Sequence, residues 1–229
     1  RAVEDAAREV QLLEARAAAG SSESADDALV EIEAAAETPA GQAWVRELAA
    51  MYLAWAERRG YEKASIAEGF EPTRVVLRIS GPGVLGYLAG ECGLHRRIED
   101  EARVAAYVRP RSWPHSEPPA EIVAAREYRR KPGLFLERVG AEVSARDEST
   151  GRAVTLHGAG SLGDLRAVTS ALLSPVSLAS VEVRRYFVGR APHVEDPRTG
   201  ARTPRIKDVL RGELEIFIAA WVARTSGAA

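Results

Sequence analysis

One segment constrains this chain more than any other. Thr38-Pro39 opens a run in which Trp44, Leu48, Met51, Tyr52 and Trp55 recur at helical spacing before Gly60. Thr38 is placed to cap and Pro39 to fill the first turn, so a helix is predicted from there to about Arg59. Its aromatic stripe reads as a core face. Strand patterns lie on both sides. Ala28–Ala34 alternates apolar and acidic residues, and Thr73–Ser80 is rich in β-branched residues. Further along, strands are predicted at 141–147 and 152–157 around Glu148-Ser149-Thr150-Gly151, a helix at 161–173 and a strand at 181–188. Pro197–Gly200 reads as a turn, and 205–224 as a helix broken near Gly212. A helix is predicted at 2–19, a short one at 84–91, a turn then a strand over 98–108, and a loop at 110–119. Strand and helix do not alternate regularly, so the fold class is α+β rather than a doubly wound sheet.

With 229 residues, 46% apolar and 28% charged, the chain suits one large domain or two small ones, not a disordered segment. The single cysteine, Cys92, excludes a disulfide framework and a Cys-built zinc site. No apolar run reaches the roughly 20 residues of a membrane span, and no membrane partner is expected. The formal net charge is −2, so attraction to polyanions has to come from local patches.

The charge is segregated. Residues 1–34 carry nine acids against three arginines. Residues 126–138 hold Arg126, Arg129, Arg130, Lys131 and Arg138 against Glu127 and Glu137, and 184–211 hold eight Arg and Lys against three acids. These stretches either contact phosphate or form a solvated, salt-bridged surface.

Gly81-x-Gly83-x-x-Gly86 and Gly158-x-Gly160-x-x-Gly163 each fit the dinucleotide fingerprint literally. Neither is followed by a long crossover helix and an acid-terminated strand, so no nucleotide cofactor is assigned. His95, His115, His157 and His193 are isolated, without a helical pair or cysteine partners, and His95 reads as structural. No catalytic constellation and no metal site are visible.

Three stretches resemble the class-I peptide chain release factors of bacteria. The first is Gln42-Ala43-Trp44 leading to Met51-Tyr52-Leu53-Ala54-Trp55 and on to Gly60. The second is Ile79–Leu88 followed by Glu91-Cys92-Gly93-Leu94-His95-Arg96, where the family reads E-x-G-V-H-R. The third is Val183-Arg184-Arg185-Tyr186, Asp196-Pro197-Arg198-Thr199-Gly200, then Val209–Leu214 and Phe217-Ile218. Order and spacing agree over roughly residues 25–225. The resemblance implies a central α/β domain of residues 25–126 with 176–229, an inserted unit at 127–175 corresponding to the catalytic domain, and residues 1–24 as an N-terminal helical remnant.

The same resemblance exposes what is replaced. The family hydrolyses peptidyl-tRNA with a Gly-Gly-Gln loop. This chain's two glutamines are Gln11 and Gln42, and the expected place reads Arg130-Lys131-Pro132-Gly133-Leu134-Phe135-Leu136-Glu137-Arg138. The family reads stop codons with a tripeptide loop after the His-Arg motif. Here Arg97-Ile98-Glu99-Asp100-Glu101 runs directly into Ala102-Arg103-Val104, a shortened loop whose acids would repel phosphate. The basic run after the family's hairpin is replaced by Gly158–Asp164.

The expectation is therefore a catalytically inactive, cytoplasmic release-factor-like protein that binds ribosome, tRNA or other RNA, with no DNA role. Family members of plant organelles that lack Gly-Gly-Gln act on RNA. The RNA-contact candidates are Arg126, Arg129, Arg130, Lys131, Arg138, Arg184, Arg185, Arg205 and Lys207. An alternative is a repurposed enzyme or accessory acting on aminoacyl- or peptidyl-tRNA, with Glu137 as the acid available for general-base work. Another is a module for a protein partner.

Overall fold

The computed structural model describes residues 26–68, 73–114, 121–130, 138–158, 161–174 and 181–226. The helix expected at 2–19 lies outside them.

The long helix forms as expected. Helix α1 runs Pro39–Arg58, and Thr38 Oγ1 accepts a hydrogen bond from the Gly41 N–H at 3.0 Å. Trp44, Val45, Leu48, Met51, Tyr52 and Trp55 on one face are all 0–1% exposed. They cover one side of an eight-stranded sheet built from β1 (Asp27–Ala34), β2 (Glu62–Glu68), β3 (Arg74–Ser80), β4 (Gly93–Glu99), β5 (Ala102–Ser112), β9 (Glu182–Val188), β10 (His193–Glu195) and β11 (Arg202–Thr203). The strand order is β11-β10-β9-β4-β5-β1-β3-β2. Every second residue of β1 and β3 (Ala28, Val30, Ile32; Val75, Leu77, Ile79) joins α1 in the core.

All neighbours in this sheet are antiparallel except β4 and β9, which pair in parallel. Between β5 and β9 the chain leaves to form a three-stranded sheet, β6 (Glu121–Arg130), β7 (Arg138–Arg146) and β8 (Ala153–Gly158), backed by helix α3 (Leu162–Leu173). Ser161 caps α3 by accepting from the Asp164 N–H at 3.0 Å. Residues 121–126, expected with the larger unit, pair with β7 instead.

The second face of the large sheet is divided. Leu29, Ile66, Val76 and Trp113 form one apolar cluster with Val143, Leu156, Leu165 and Leu172 of the small unit. Arg111 adds a hydrogen bond to the Ala171 carbonyl at the end of α3, at 3.0 Å. Beside this patch the acids of β1 are not in solvent. Glu31 is 5% exposed and sits 3.0 Å from Arg111 and 3.4 Å from Arg109. Glu33 holds Arg74 and Arg109. Burial would raise the Glu33 carboxyl, but these two guanidiniums outweigh it and hold it below the usual range.

The structure differs from the sequence reading in several strands. β2 (EKASIAE) and β4 (GLHRRIE) carry too few β-branched residues to announce themselves, and tertiary pairing decides them. Over 98–108 the expected turn (Asp100-Glu101) and strand (β5) are present, but Ile98 and Glu99 still belong to β4. β5 also continues through Pro110, which was expected in a loop. Pro110 lies beyond the end of β4, where β5 pairs with β1 alone, and such an edge tolerates proline. β10 and β11 are only three and two residues long.

Helix α2 (Val84–Leu88) follows the first glycine turn, and a 3-10 turn (Ala89–Glu91) extends it. Gly81 is required by close approach, since a Cβ there would lie 2.2 Å from the Tyr61 ring. The turn is thus a packing feature. Helices α4 (Ile206–Leu210) and α5 (Glu215–Ser226) are separated at Gly212, as expected. Gly212 has φ +91, and a Cβ would come within 2.4 Å of the Trp55 backbone nitrogen in α1. Gly212→Ala is expected to cost about 1–3 kcal/mol. The urea midpoint checks this; an unchanged midpoint would show that the α4–α5 junction yields freely.

Candidate functional site

The recognisable motifs converge on one buried cluster. Glu91, at the end of the 3-10 turn, is 1% exposed and Arg184, in β9, is 0% exposed. They form a two-pronged pair: Arg184 Nη1 donates to Glu91 Oε2 at 2.9 Å and Nη2 to Oε1 at 2.5 Å. Tyr52 of α1 donates its hydroxyl to Oε2 at 2.9 Å. The Arg184 guanidinium lies 4.0 Å over the Phe217 ring of α5. Burial alone would raise the Glu91 carboxyl, but the Arg184 charge holds it below the usual carboxylate range. The residues that carry the family resemblance are therefore a scaffold joining α1, β4, β9 and α5.

His95 belongs to the same cluster. Its Nε2 lies 3.0 Å from the Glu91 carbonyl, which can only accept, so Nε2 carries the proton. Nδ1 faces the Tyr186 hydroxyl at 3.3 Å, and the Trp44 indole N–H donates to the His95 carbonyl at 3.1 Å. Burial pushes the imidazole pKa down to about 4. His95 is structural, as its isolation in sequence implied.

Arg184 is corrected as an RNA-contact candidate. It points into the core on the face shared with Tyr186, and its charge is consumed by Glu91. Its neighbour Arg185 points the other way and is 38% exposed, but binds Glu182 at 2.5 Å and Glu195 at 3.3 Å. Arg126 is exposed on β6 and pairs with Glu142 at 2.7 Å. Arg126 and Arg185 lie on different sheets. Arg129, Arg130 and Arg138 lie in β6 and β7, and nothing is described of their side chains. Lys131 and Glu137 fall outside the described residues. Arg205 and Lys207 are exposed at the start of α4.

The turn between β4 and β5 is short. Glu99 pairs with Ala102, leaving Asp100 and Glu101 as a two-residue connection, and Asp100 takes φ +50. This is the place where the family's codon-reading loop was expected. Beneath it, across β4 and β9, lies a depression of about 260 Å³ lined by Arg96, Ile98, Arg103, Glu182, Arg185 and Phe187. Glu182 bridges Arg96 at 2.8 Å and Arg185. The depression contains no nucleophile–base pair. Among the described residues no three His, Cys, Asp or Glu side chains converge on a possible metal position.

Comparison with known proteins agrees with this geometry. Residues 2–100 match the PCRF domain family. Peptide chain release factor 2 of Chloroflexus aggregans is 28% identical over 236 residues, covering 86% of this chain and 64% of the relative. The same factor of Thermomicrobium roseum is 26% identical, covering 86% and 63%. The chain thus spans just under two thirds of the length of these relatives. Release factor 2 of Thermus thermophilus shares the fold, with a TM-score of 0.69 at 20% identity over 99% of this chain and 76% of that one.

The fold is an α+β release-factor fold. By sequence the chain is similar to the peptide chain release factors, through the PCRF match and relatives at 26–28% identity.

The buried imidazole makes a pH prediction. His95 is neutral in the fold down to about pH 4, whereas an unfolded histidine takes up its proton near 6.5. The unfolded state then binds more protons between those values, so this contribution to stability is complete above pH 6.5 and is lost as pH falls towards 4. The loss is about 3 kcal/mol by that spacing. Equilibrium unfolding at pH 7.5, 5.5 and 4.5 reads it, and a flat profile would contradict a buried neutral His95.

Proposed function

We propose that this protein keeps the release-factor scaffold to bind the translation machinery in the cytoplasm, as a ribosome-, tRNA- or other RNA-binding protein that neither reads stop codons nor hydrolyses peptidyl-tRNA. The observation that carries this reading is the missing glutamine. The chain has Gln11 and Gln42 alone, and Gln42 lies in α1 under the large sheet, not in the inserted unit. Ester hydrolysis of the family type needs a glycine backbone with an amide side chain that positions the attacking water. Arg130–Arg138 offers Pro132, Gly133, Leu134 and Phe135 in that place.

The two-residue turn at Asp100-Glu101 supports the loss of codon reading. It has no side chain placed to donate to a base edge, and its carboxylates oppose a phosphate chain. The scaffold itself is kept, down to the buried Glu91–Arg184 pair. Exposed cations remain at Arg205 and Lys207, and Arg126, Arg129, Arg130, Lys131 and Arg138 complete the proposed contact set.

A release assay tests the loss of chemistry. Ribosomes carrying peptidyl-tRNA and a stop codon in the decoding site are mixed with excess protein. The expected rate is that of uncatalysed hydrolysis, and restoring Gly-Gly-Gln at Gly133-Leu134-Phe135 is not expected to give stop-codon-dependent release while the acidic turn remains. Codon-dependent release by the unaltered chain would overturn the reading.

A further inference from the structure

Many of the described arginines are neutralised within the fold, but one group of cations is not. Arg74, Arg78, Arg97, Arg109, Arg184 and Arg198 each hold a carboxylate. By contrast, Arg190, Arg202, Arg205, Lys207 and Arg211 are exposed, and none has a carboxylate partner among the described residues. Three of these, Arg190, Arg202 and Arg211, were not singled out from sequence.

They lie on neighbouring elements. Arg202 lies in β11, the outer strand of the large sheet, and Arg205 is the residue that opens α4. Lys207 and Arg211 stand four positions apart, both exposed, while Val209 between them is buried. Arg190 lies in the connection between β9 and β10, and α4 packs against both strands.

Most of the acids near this strip are engaged elsewhere, and the Asp100 carboxylate approaches it only at Gly189, beside Arg190. Glu195, opposite Arg202 in the β10–β11 register, binds Arg185 at 3.3 Å. Asp196 holds Arg198 at 2.8 Å, and Glu213 and Glu215 hold Arg58 and Arg59 at 3.3 and 3.6 Å. Asp208, half-buried, is the remaining acid in the run. Like charges four apart on a helix oppose folding. This chain therefore carries a cationic strip that its own fold does not use.

We propose that this strip, formed by Arg190, Arg202, Arg205, Lys207 and Arg211 at the β11–α4 edge of the large sheet, binds RNA through its phosphate backbone. The inference rests on the RNA-binding reading above and names the surface that performs it. Residues 201–212 contain no aromatic side chain on which a base could stack. Contacts there fix position on the backbone and carry no sequence preference.

The test uses the full chain and bulk tRNA, with affinity measured by fluorescence anisotropy across a potassium chloride series. The variants replace Arg202, Arg205, Lys207 and Arg211 together, once by Glu and once by Gln. A control carries Arg103→Glu and Arg146→Glu, exposed cations of β5 and β7 that also lack a partner among the described residues. The unaltered chain is expected to bind with a steep salt dependence. Both fourfold variants should lose about tenfold or more in affinity, with a log–log slope shallower by about 3. The control should keep the affinity and slope of the unaltered chain.

Each contrary result is distinct. If the fourfold variants bind like the unaltered chain, the strip is not the contact, although the RNA-binding reading stands. If the unaltered chain binds neither tRNA nor ribosomes at low salt, both fail. Equal affinity for poly-glutamate of matched charge would overturn the assignment to RNA in favour of an acidic protein. Since the replaced side chains have no partner among the described residues, melting temperatures should remain within a few degrees, and the Gln variant guards against misfolding of the Glu one.

Discussion

The buried pair between Glu91 and Arg184 holds together two stretches that lie 93 positions apart in the chain. Glu91 ends the turn that leads into β4, and Arg184 lies in β9, the first strand after the small unit. Those strands form the parallel contact in the sheet, so the returning chain joins the first half through them. A lone buried charge at either position would cost several kcal/mol. The two-pronged geometry, the Tyr52 hydroxyl and the Phe217 ring offset that cost. Once β9 is held, α5 closes over the core and the β10–β11–α4 edge is placed beside it.

This arrangement bears on the proposal that the scaffold is kept without the chemistry. The motifs by which the chain resembles the release factors are mostly interior: Trp44, Tyr52, Glu91, His95, Arg184 and Phe217 are all within 1% of full burial. Their interactions are with one another. The turn expected to face mRNA, Asp100-Glu101, is exposed at one end of the large sheet. It closes β4 to β5 without touching the buried cluster, and Gly60, Gly81 and Gly212 serve turns and close packing.

Much of the fold was legible in the sequence because periodicity and punctuation agreed there. Thr38-Pro39, the stripe to Trp55, the β-branched run of β3 and the break at Gly212 each left a local signal. β2, β4 and β6 did not. In β4 the charged residues are satisfied by partners far away, with Arg97 on Glu47 and Arg96 on Glu182, and a local pattern does not show such partners. The same limit governs the site. Arg184 and Arg185 are identical letters, yet one faces the core and its neighbour the solvent, because side chains alternate along a strand. A count of charge over 184–211 saw a net positive stretch. It could not divide the arginines that neutralise Glu91, Glu182 and Asp196 from those that have no carboxylate partner among the described residues.

Co-sedimentation with purified ribosomes across a salt series tests the central claim most directly, namely that the retained scaffold still serves translation. The account predicts binding at low salt that weakens steadily as salt rises, as expected when cations displace the counterions of phosphate. Failure to sediment with ribosomes at any salt concentration would contradict it.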